Sequence, residues 1–144
     1  MKTLLTLPLL LLSLISFPSW GETLDDLYYL DGIAYKKFTD VPFTGVVNGF
    51  DQISSLVIQG NYKHGKREGP WVTYNANGQL IDKGEYKNGK RVGPWIAYWK
   101  SGRLASKGAW KNGKKEGRWV AYHENGDLWE EYSGVYKNGV KISD

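Results

Sequence analysis

The hydrophobic and polar positions of the chain fall into short runs separated by glycine-containing turns. After residue 21 the predicted strands are roughly six to nine residues long, and no segment has a helical period of useful length. The longest apolar run, residues 4–17, lies at the N-terminus. This pattern predicts an all-β fold that follows an apolar leader.

A 24-residue repeat organises the rest of the chain. Trp71, Trp95 and Trp119 lie 24 residues apart, and tyrosine, glycine and leucine positions around them keep the same step. The final unit is partial and follows a two-residue insertion between Leu128 and Gly134. Degenerate ends are expected of an array that must cap itself. A weaker first unit is indicated by Phe38, Gly45, Val47, Phe50 and Leu56, which align with Tyr62, Gly69, Trp71, Tyr74 and Leu80.

Each repeat contains two turn signals, and both resemble Asn-Gly, the dipeptide that favours a two-residue type I′ hairpin turn. The turns alternate every eleven to thirteen residues, so each repeat is predicted to be one β-hairpin. The whole is then an elongated single antiparallel meander of stacked hairpins, with about nine or ten strands. The turns flanked by lysine or arginine, called the basic turns, are His64-Gly65, Asn88-Gly89, Asn112-Gly113 and Asn138-Gly139. The neutral turns are Asn77-Gly78, Ser101-Gly102 and Asn125-Gly126.

The N-terminal segment has the features of a secretory signal peptide. Lys2 precedes the uncharged run, which is shorter than the about 20 residues that span a bilayer. Small residues at Ser19 and Gly21 predict cleavage after Gly21, and an uncleaved N-terminal anchor is the alternative. We therefore expect a periplasmic or secreted protein with no transmembrane helix after cleavage. The expected organisation is a signal peptide (1–21), an acidic cap segment (22–37) and a repeat domain (38–144).

The repeated unit resembles a known family. Residues 84–104, with Gly84, Tyr86, Trp95 and Tyr98 at fixed spacing, are similar to the MORN repeat in its bacterial variant form. The Pro-Phe-Thr-Gly run at 42–45 is similar to an opening often seen in that variant. The resemblance covers roughly residues 38–141 and implies stacked β-hairpins without catalytic activity. It also implies binding roles, since some bacterial relatives are antitoxins of the YwqK type and eukaryotic arrays bind membranes and scaffold proteins.

Candidate catalytic and metal-binding residues are few. The chain has no cysteine, which excludes disulfides, thiolate metal sites and a cysteine nucleophile. His64 takes the place of Asn88 in a turn, and His123 holds a variable strand position with no metal-ligand spacing. The carboxylates do not recur from unit to unit. We expect no enzyme activity, no cofactor and no metal site.

The recurring aromatic residues have two interpretations. Alternation along a strand places Val72 and Tyr74 on one face and Trp71 on the other, so like residues form ladders that we expect to be the core. The alternative is an aromatic groove that stacks sugars, peptides or cations. Trp99 and Trp129 are the better binding candidates, because each occurs where the other units have a different residue.

The basic turns carry the second candidate surface. Residues 22–59 have six acids and two lysines, whereas residues 60–144 have sixteen bases and nine acids. Turns of one kind fall along one edge of a meander, so eleven of those bases are predicted to line a basic rim. The rim either serves solubility or binds an anionic partner. The residues proposed for binding are Lys66, Arg67, Lys90, Arg91, Lys114 and Lys115.

Two functions from different classes follow. The first is a non-catalytic exported scaffold that binds an envelope protein, with an immunity or antitoxin-like inhibitor as a special case. The second is a binding module for cell-wall glycan or anionic lipid headgroups, through the aromatic face and the basic rim. Nucleic acid is not expected as a partner of an exported chain.

Overall fold

The computed structural model describes Glu22, residues 24–51 and residues 55–144. The predicted signal peptide and its cleavage site lie outside these residues. In the described part of the chain, a 3₁₀ turn at Leu24–Asp26 precedes eleven strands. They are β1 (Leu27–Leu30), β2 (Ile33–Lys36), β3 (Gly45–Asp51), β4 (Leu56–Lys63), β5 (Lys66–Asn75), β6 (Leu80–Lys87), β7 (Lys90–Tyr98), β8 (Leu104–Lys111), β9 (Lys114–Ala121), β10 (Gly134–Lys137) and β11 (Val140–Ser143).

Strands β3 to β11 form one antiparallel sheet in which neighbours in sequence are neighbours in space. Strands β1 and β2 form a separate hairpin. The sheet follows directly from short connections, since antiparallel strands can be joined by tight turns. The predicted all-β meander of stacked hairpins is therefore confirmed.

The basic turns adopt the conformation that their sequence predicts. Asn88 and Gly89 have φ values of 51° and 80°, as a type I′ turn requires. The Gly89 N–H donates to the carbonyl oxygen of Arg67 in the preceding repeat at 2.9 Å. Each basic turn is thereby attached to the hairpin before it. The same signs of φ occur at His64-Gly65, Asn112-Gly113 and Asn138-Gly139.

The neutral turns differ from the two-residue type I′ turn that was predicted for them. At the first, only Gly78 has positive φ, and its N–H donates to the carbonyl oxygen of Asn75. This is a type I turn followed by a left-handed glycine, the three-residue hairpin connection. The Asn75 side chain favours it, because its Oδ1 accepts the N–H groups of Asn77 and Gln79.

The core is a continuous column of aromatic rings on one face of the sheet. Each repeated tryptophan lies across a glycine of the preceding strand, as Trp95 covers Gly84. Trp95 is 6 % exposed, and its Nε1 donates to the carbonyl oxygen of Glu85 at 3.2 Å. Successive rings from Tyr62 to Trp95 meet edge to face, a favourable geometry for aromatic pairs. The aromatic column comprises Phe43, Tyr62, Trp71, Tyr86, Trp95, Trp110, Trp119 and Tyr136.

The N-terminal hairpin packs at the first end of this column. Ala34 is fully buried, and its N–H donates to the carbonyl oxygen of Gly65 at 2.8 Å. Phe43 provides the terminal ring, 5.9 Å from Tyr62. Phe38, which the repeat pattern aligned with Tyr62, is instead fully exposed at positive φ. Thus the first unit departs from the repeat at this position, and a residue five places later takes over the contact.

Candidate binding face

The two faces of the sheet differ in what covers them. The repeated Trp71, Trp95 and Trp119 are buried by their own neighbours, so that ladder is the predicted core. On the opposite face, called here the open face, the repeated Val72, Ile96 and Val120 are only half-buried. Nothing among the described residues packs over them as a second layer. The aliphatic ladder therefore forms an accessible surface, in contrast to the expectation that both ladders belong to the core.

A row of directly opposed residues crosses the open face. Cross-strand pairing joins Val72 to Lys83, Lys83 to Ile96, Ile96 to Lys107 and Lys107 to Val120. Opposed residues project from the same side of a sheet, so aliphatic and cationic side chains alternate from β5 to β9. These five residues are called the central row.

The central row forms the floor and side of a groove of about 730 Å³. Pro70 and Pro94 line it beside the aliphatic residues, and Arg118 adds a third exposed cation. Glu85 is the one acid among the lining residues. The groove is apolar with an excess of positive charge, which suits an extended ligand that is partly apolar and negatively charged.

The structure separates the paired cations that the sequence placed together on the basic rim. The second member of each pair enters the aromatic column. The guanidinium carbon of Arg91 lies 4.4 Å from the centroid of the Trp95 ring and 5.3 Å from that of Trp110. These are cation–π distances. Arg67 and Lys115 lie in the same way, 4.7 Å from Trp71 and 4.8 Å from Trp119, and so are not members of an exposed rim.

The first member of each pair stays at the turn edge. The stem of Lys90 lies beside Gly113 of the next basic turn, and the stems of Lys66 and Lys114 lie beside Gly89 and Gly139. Apolar stems can pack in this way while the ammonium groups reach water. The basic rim therefore exists, but with three fewer cations than the sequence suggested.

Lys115 lies among three aromatic rings near the last repeat. Its Nζ is 4.8 Å from the Trp119 centroid, 4.7 Å from Tyr136 and 5.8 Å from Tyr132. Burial lowers the pKa of the Lys115 ammonium group below the ordinary 10.5. The rings hold the cation, while its partial removal from water disfavours the charge.

This shift predicts a specific dependence of stability on pH. Between the lowered folded pKa of Lys115 and its unfolded value near 10.5, the unfolded chain binds more protons, so the folded state gains stability as the pH rises. The free energy of unfolding of the wild type minus that of Lys115→Arg should increase with pH just below 10.5, because arginine does not titrate there. Denaturant titrations of both proteins at several pH values measure this difference. A flat difference would contradict the shift.

Trp99 has a structural partner in the next repeat. It stands at the start of a neutral turn, in the place of Asn75, and is half-buried. Its Nε1 donates to the carbonyl oxygen of Tyr122 at 3.0 Å. The indole therefore links two neighbouring hairpins, and only part of it is available for a ligand.

Trp129 belongs to an aromatic group built by the two-residue insertion. Its ring stacks on His123 and meets the ring of Tyr132 edge to face, with both centroids 4.5 Å away. His123 is exposed but starts the third neutral turn, so the strand position predicted for it was wrong. Tyr132 is 43 % exposed. Beneath them Ser133 closes the insertion, because its Oγ accepts the Ala121 N–H and donates to the Ala121 carbonyl oxygen. This group lies beyond the central row, at the C-terminal end of the array.

Glu68 and Glu116 support basic turns, a role that was not predicted from the sequence. The Asn88 N–H donates to Oε2 of Glu68 at 2.7 Å, and the Asn138 N–H donates to Oε2 of Glu116 at 2.8 Å. The corresponding residue in the middle repeat is Val92, which cannot accept a hydrogen bond. A signal was present, since each glutamate lies 20 or 22 residues before the turn that it supports.

The part of the chain that the structure describes contains no cluster of side chains that could hold a metal ion. No group of three potential ligands from histidine, aspartate and glutamate converges there. The described residues also contain no helix that is long and apolar enough to cross a membrane.

Comparison with protein-family models finds a match to two segments of the chain. The model of the MORN repeat variant matches residues 67–88 and 115–138. These two segments are similar to the MORN repeat. Both matched segments begin at the second cation of a basic pair and end at the asparagine of the next basic turn. Each segment therefore contains one of the repeated tryptophans of the column. No curated protein matches the chain significantly.

MORN repeats are generally binding or scaffold modules, and they are typically non-catalytic. In the two matched segments Trp71, Tyr86, Trp119 and Tyr136 lie in the column, whereas Tyr74 and Tyr122 do not. The surface left for a partner is the open face and the turn edges.

Proposed function

We propose that the protein is a non-catalytic scaffold of the cell envelope that holds a partner protein against the open face of its MORN repeats. The observation that supports this proposal is the central row of accessible aliphatic and cationic side chains. A half-buried aliphatic ladder on a sheet face costs free energy while it faces water, and covering it recovers that cost. The cations of the row favour a partner segment with negative charge.

The chemistry of the lining residues favours a protein over a sugar. A glycan site needs exposed aromatic rings on which sugars can stack. The repeated Trp71, Trp95 and Trp119 are 3–6 % exposed, so they present almost no ring surface. The central row is instead aliphatic and cationic, and Pro70, Pro94 and Arg118 lie beside it in the groove. These side chains match an extended peptide that has apolar and acidic residues.

The proposed location rests on the N-terminal sequence. The uncharged run at residues 4–17 and the small residues near Gly21 have the pattern of a cleaved signal peptide. In the envelope, a partner bound on the open face is either a protein that the scaffold assembles or one that it inhibits. The inhibitor case is the antitoxin-like role that the resemblance implied.

The second candidate function is binding to an anionic surface, and the basic rim favours it. Lys63, Lys87 and Lys111 are exposed beside successive basic turns, together with Lys90 and Lys114. Turns two strands apart are separated by about 10 Å, so these ammonium groups form a line along one edge. Such a line is suited to lipid headgroups, whereas an exposed glycan contact would depend on the Trp129 group.

Affinity capture with matched variants tests the proposal. We expect the mature protein to retain a stoichiometric protein from its own envelope, Ile96→Glu to lose it, and Ser101→Glu to keep it. Both substitutions add one negative charge, but only Ile96 lies on the open face. Lys107→Glu, at an exposed position of the same row, is expected to weaken capture without affecting folding. Circular dichroism and thermal unfolding verify the fold of each variant.

Crosslinking and mass spectrometry then locate the bound segment of the partner. Crosslinks from Lys83 and Lys107 to an acidic, partly apolar segment support the proposal. Capture that is unchanged in both Ile96→Glu and Lys107→Glu would contradict it. Sedimentation with phosphatidylglycerol vesicles, weakened by salt and in the absence of any captured protein, would instead support the anionic-surface function.

A further inference from the structure

The open face repeats in the direction in which the strands stack, and the repeat distance restricts what can bind along it. Lys83 and Lys107 lie two strands apart, with Ile96 opposed to both. Neighbouring strands of a sheet are separated by about 4.8 Å, so the two cations recur after about 9.6 Å. A ligand that uses both cations must repeat its negative charge at about this distance.

An extended peptide can do so in one regular conformation. A polyproline II helix has three residues per turn and rises about 3.1 Å per residue, which gives about 9.3 Å per turn. Side chains three residues apart therefore point in the same direction at almost the spacing of the central row. A β-strand does not match, because its same-face residues are two apart and recur after about 6.8 Å.

We propose that the open face binds a peptide segment in the polyproline II conformation that carries an acidic residue at every third position. This inference rests on the proposed function, because it specifies the partner segment of the same face. Two acidic residues of the ligand, three positions apart, face Lys83 and Lys107. The two residues between them lie over Ile96, where proline or another apolar residue fits the aliphatic surface.

Glu85, the single acid that lines the groove, favours peptides with spaced acidic residues over peptides with continuous ones. Glu85 lies two residues from Lys83 on the same strand and lines the same groove. It repels carboxylates that are not paired directly with a lysine. A peptide with a continuous acidic run is therefore expected to gain less affinity from its charges than a peptide with spaced acids. Glu85→Gln is accordingly expected to strengthen the binding of continuously acidic peptides more than that of spaced ones.

Two synthetic peptides of identical composition test the spacing. The first is three copies of Pro-Pro-Glu, with glutamate at every third position. The second has the same three glutamates at every second position within the same six prolines. Fluorescence anisotropy with labelled peptides at low ionic strength is expected to show roughly fivefold tighter binding of the first, since one exposed charge pair contributes at most about that factor.

A matched pair of double variants locates the binding. Lys83→Gln with Lys107→Gln removes the two cations of the central row. Lys87→Gln with Lys111→Gln removes the same charge from the same strands, four residues nearer the basic turns. We expect the first double variant to abolish the preference for spaced glutamate and the second to retain it. All four lysines are exposed, so neither variant is expected to lose the fold.

The possible outcomes separate this inference from the proposed function. Tighter binding of the spaced peptide that depends on Lys83 and Lys107 supports both. Equal binding of the two peptides, weakened by the same double variant, overturns the every-third spacing and leaves the open face as a docking surface. Binding of neither peptide also overturns the inference, and the capture experiment with Ile96→Glu then decides the proposed function alone.

Discussion

Replacing Gly84 by alanine is expected to lower the free energy of unfolding by about 3 kcal/mol, the upper range for overpacking a core. A Cβ at this position would overlap the indole of Trp95, closer than real Cβ atoms approach a neighbour. The ring cannot tilt away without losing the hydrogen bond from its Nε1 to Glu85 and its edge contact with Tyr86. Urea unfolding, followed by tryptophan fluorescence and circular dichroism, measures the change.

Two further variants identify the cause. Glu85→Ala changes the adjacent, exposed residue on the open face and is expected to stay within about 0.5 kcal/mol of the wild type. Adding Gly84→Ala to a Trp95→Leu background should cost clearly less than it costs in the wild type, because the smaller side chain leaves room for the methyl group. An equal cost in both backgrounds would show that the indole is not what the glycine accommodates.

Replacing Arg91 by glutamine is expected to destabilise the protein by about 2 kcal/mol. The guanidinium lies against the rings of Trp95 and Trp110, and its Nε donates to the Tyr86 hydroxyl at 3.4 Å. Each cation–π contact is worth about 0.5–1 kcal/mol, and a hydrogen bond adds about 1 kcal/mol. The measurement is again equilibrium unfolding.

The control for Arg91 is its sequence neighbour. Lys90→Gln removes the same charge from an exposed residue whose stem lies beside Gly113, and it should cost less than about 0.5 kcal/mol. Similar costs at the two positions would mean that both cations lie on the rim, as the sequence alone suggested.

The architecture was predictable because its determinants are local. Asn88-Gly89 can form its turn almost regardless of what surrounds it, since the two positive φ values depend on the residues themselves. The 24-residue period then assigns one hairpin to each unit, and short turns leave adjacent strands no other simple pairing. Alternation along β5 was enough to separate Trp71 from Val72 by face.

Properties that depend on contacts between repeats were not predictable in the same way. The sequence Lys90-Arg91 shows two equivalent cations, and only the rings of Trp95 and Trp110 on one side determine which of them is drawn inwards. The neutral turns were assigned the wrong type. At the first of them the Asn75 side chain stabilises a type I turn, which the Asn-Gly signal alone does not show.

The central row depends on the pairing register of β6 and β7, which cannot be obtained by counting residues outward from the turn that joins them. Counting from the basic turn would place Lys83 opposite Pro94. In the structure Glu85 pairs with Val92 while Lys83 pairs with Ile96, so two extra residues of β7 are accommodated opposite Gly84. Gly93, at a φ of 64°, is one of the residues in this irregularity. The alternation of lysine and aliphatic residues on the open face arises from that shift.

The attachment of each hairpin only to its neighbours has a consequence for how such a protein changes over generations. Gly60, Gly84 and Gly108 each accommodate the tryptophan of the following strand, and each basic turn donates to a carbonyl oxygen of the unit before it. A duplicated internal unit would therefore form both contacts with its neighbours. Gain or loss of 24 residues then alters how many side chains the open face offers without requiring a new core. The number of repeats therefore sets the length of the open face, and with it the length of a ligand that the face could hold. This number can change while the contacts that stabilise the sheet stay the same.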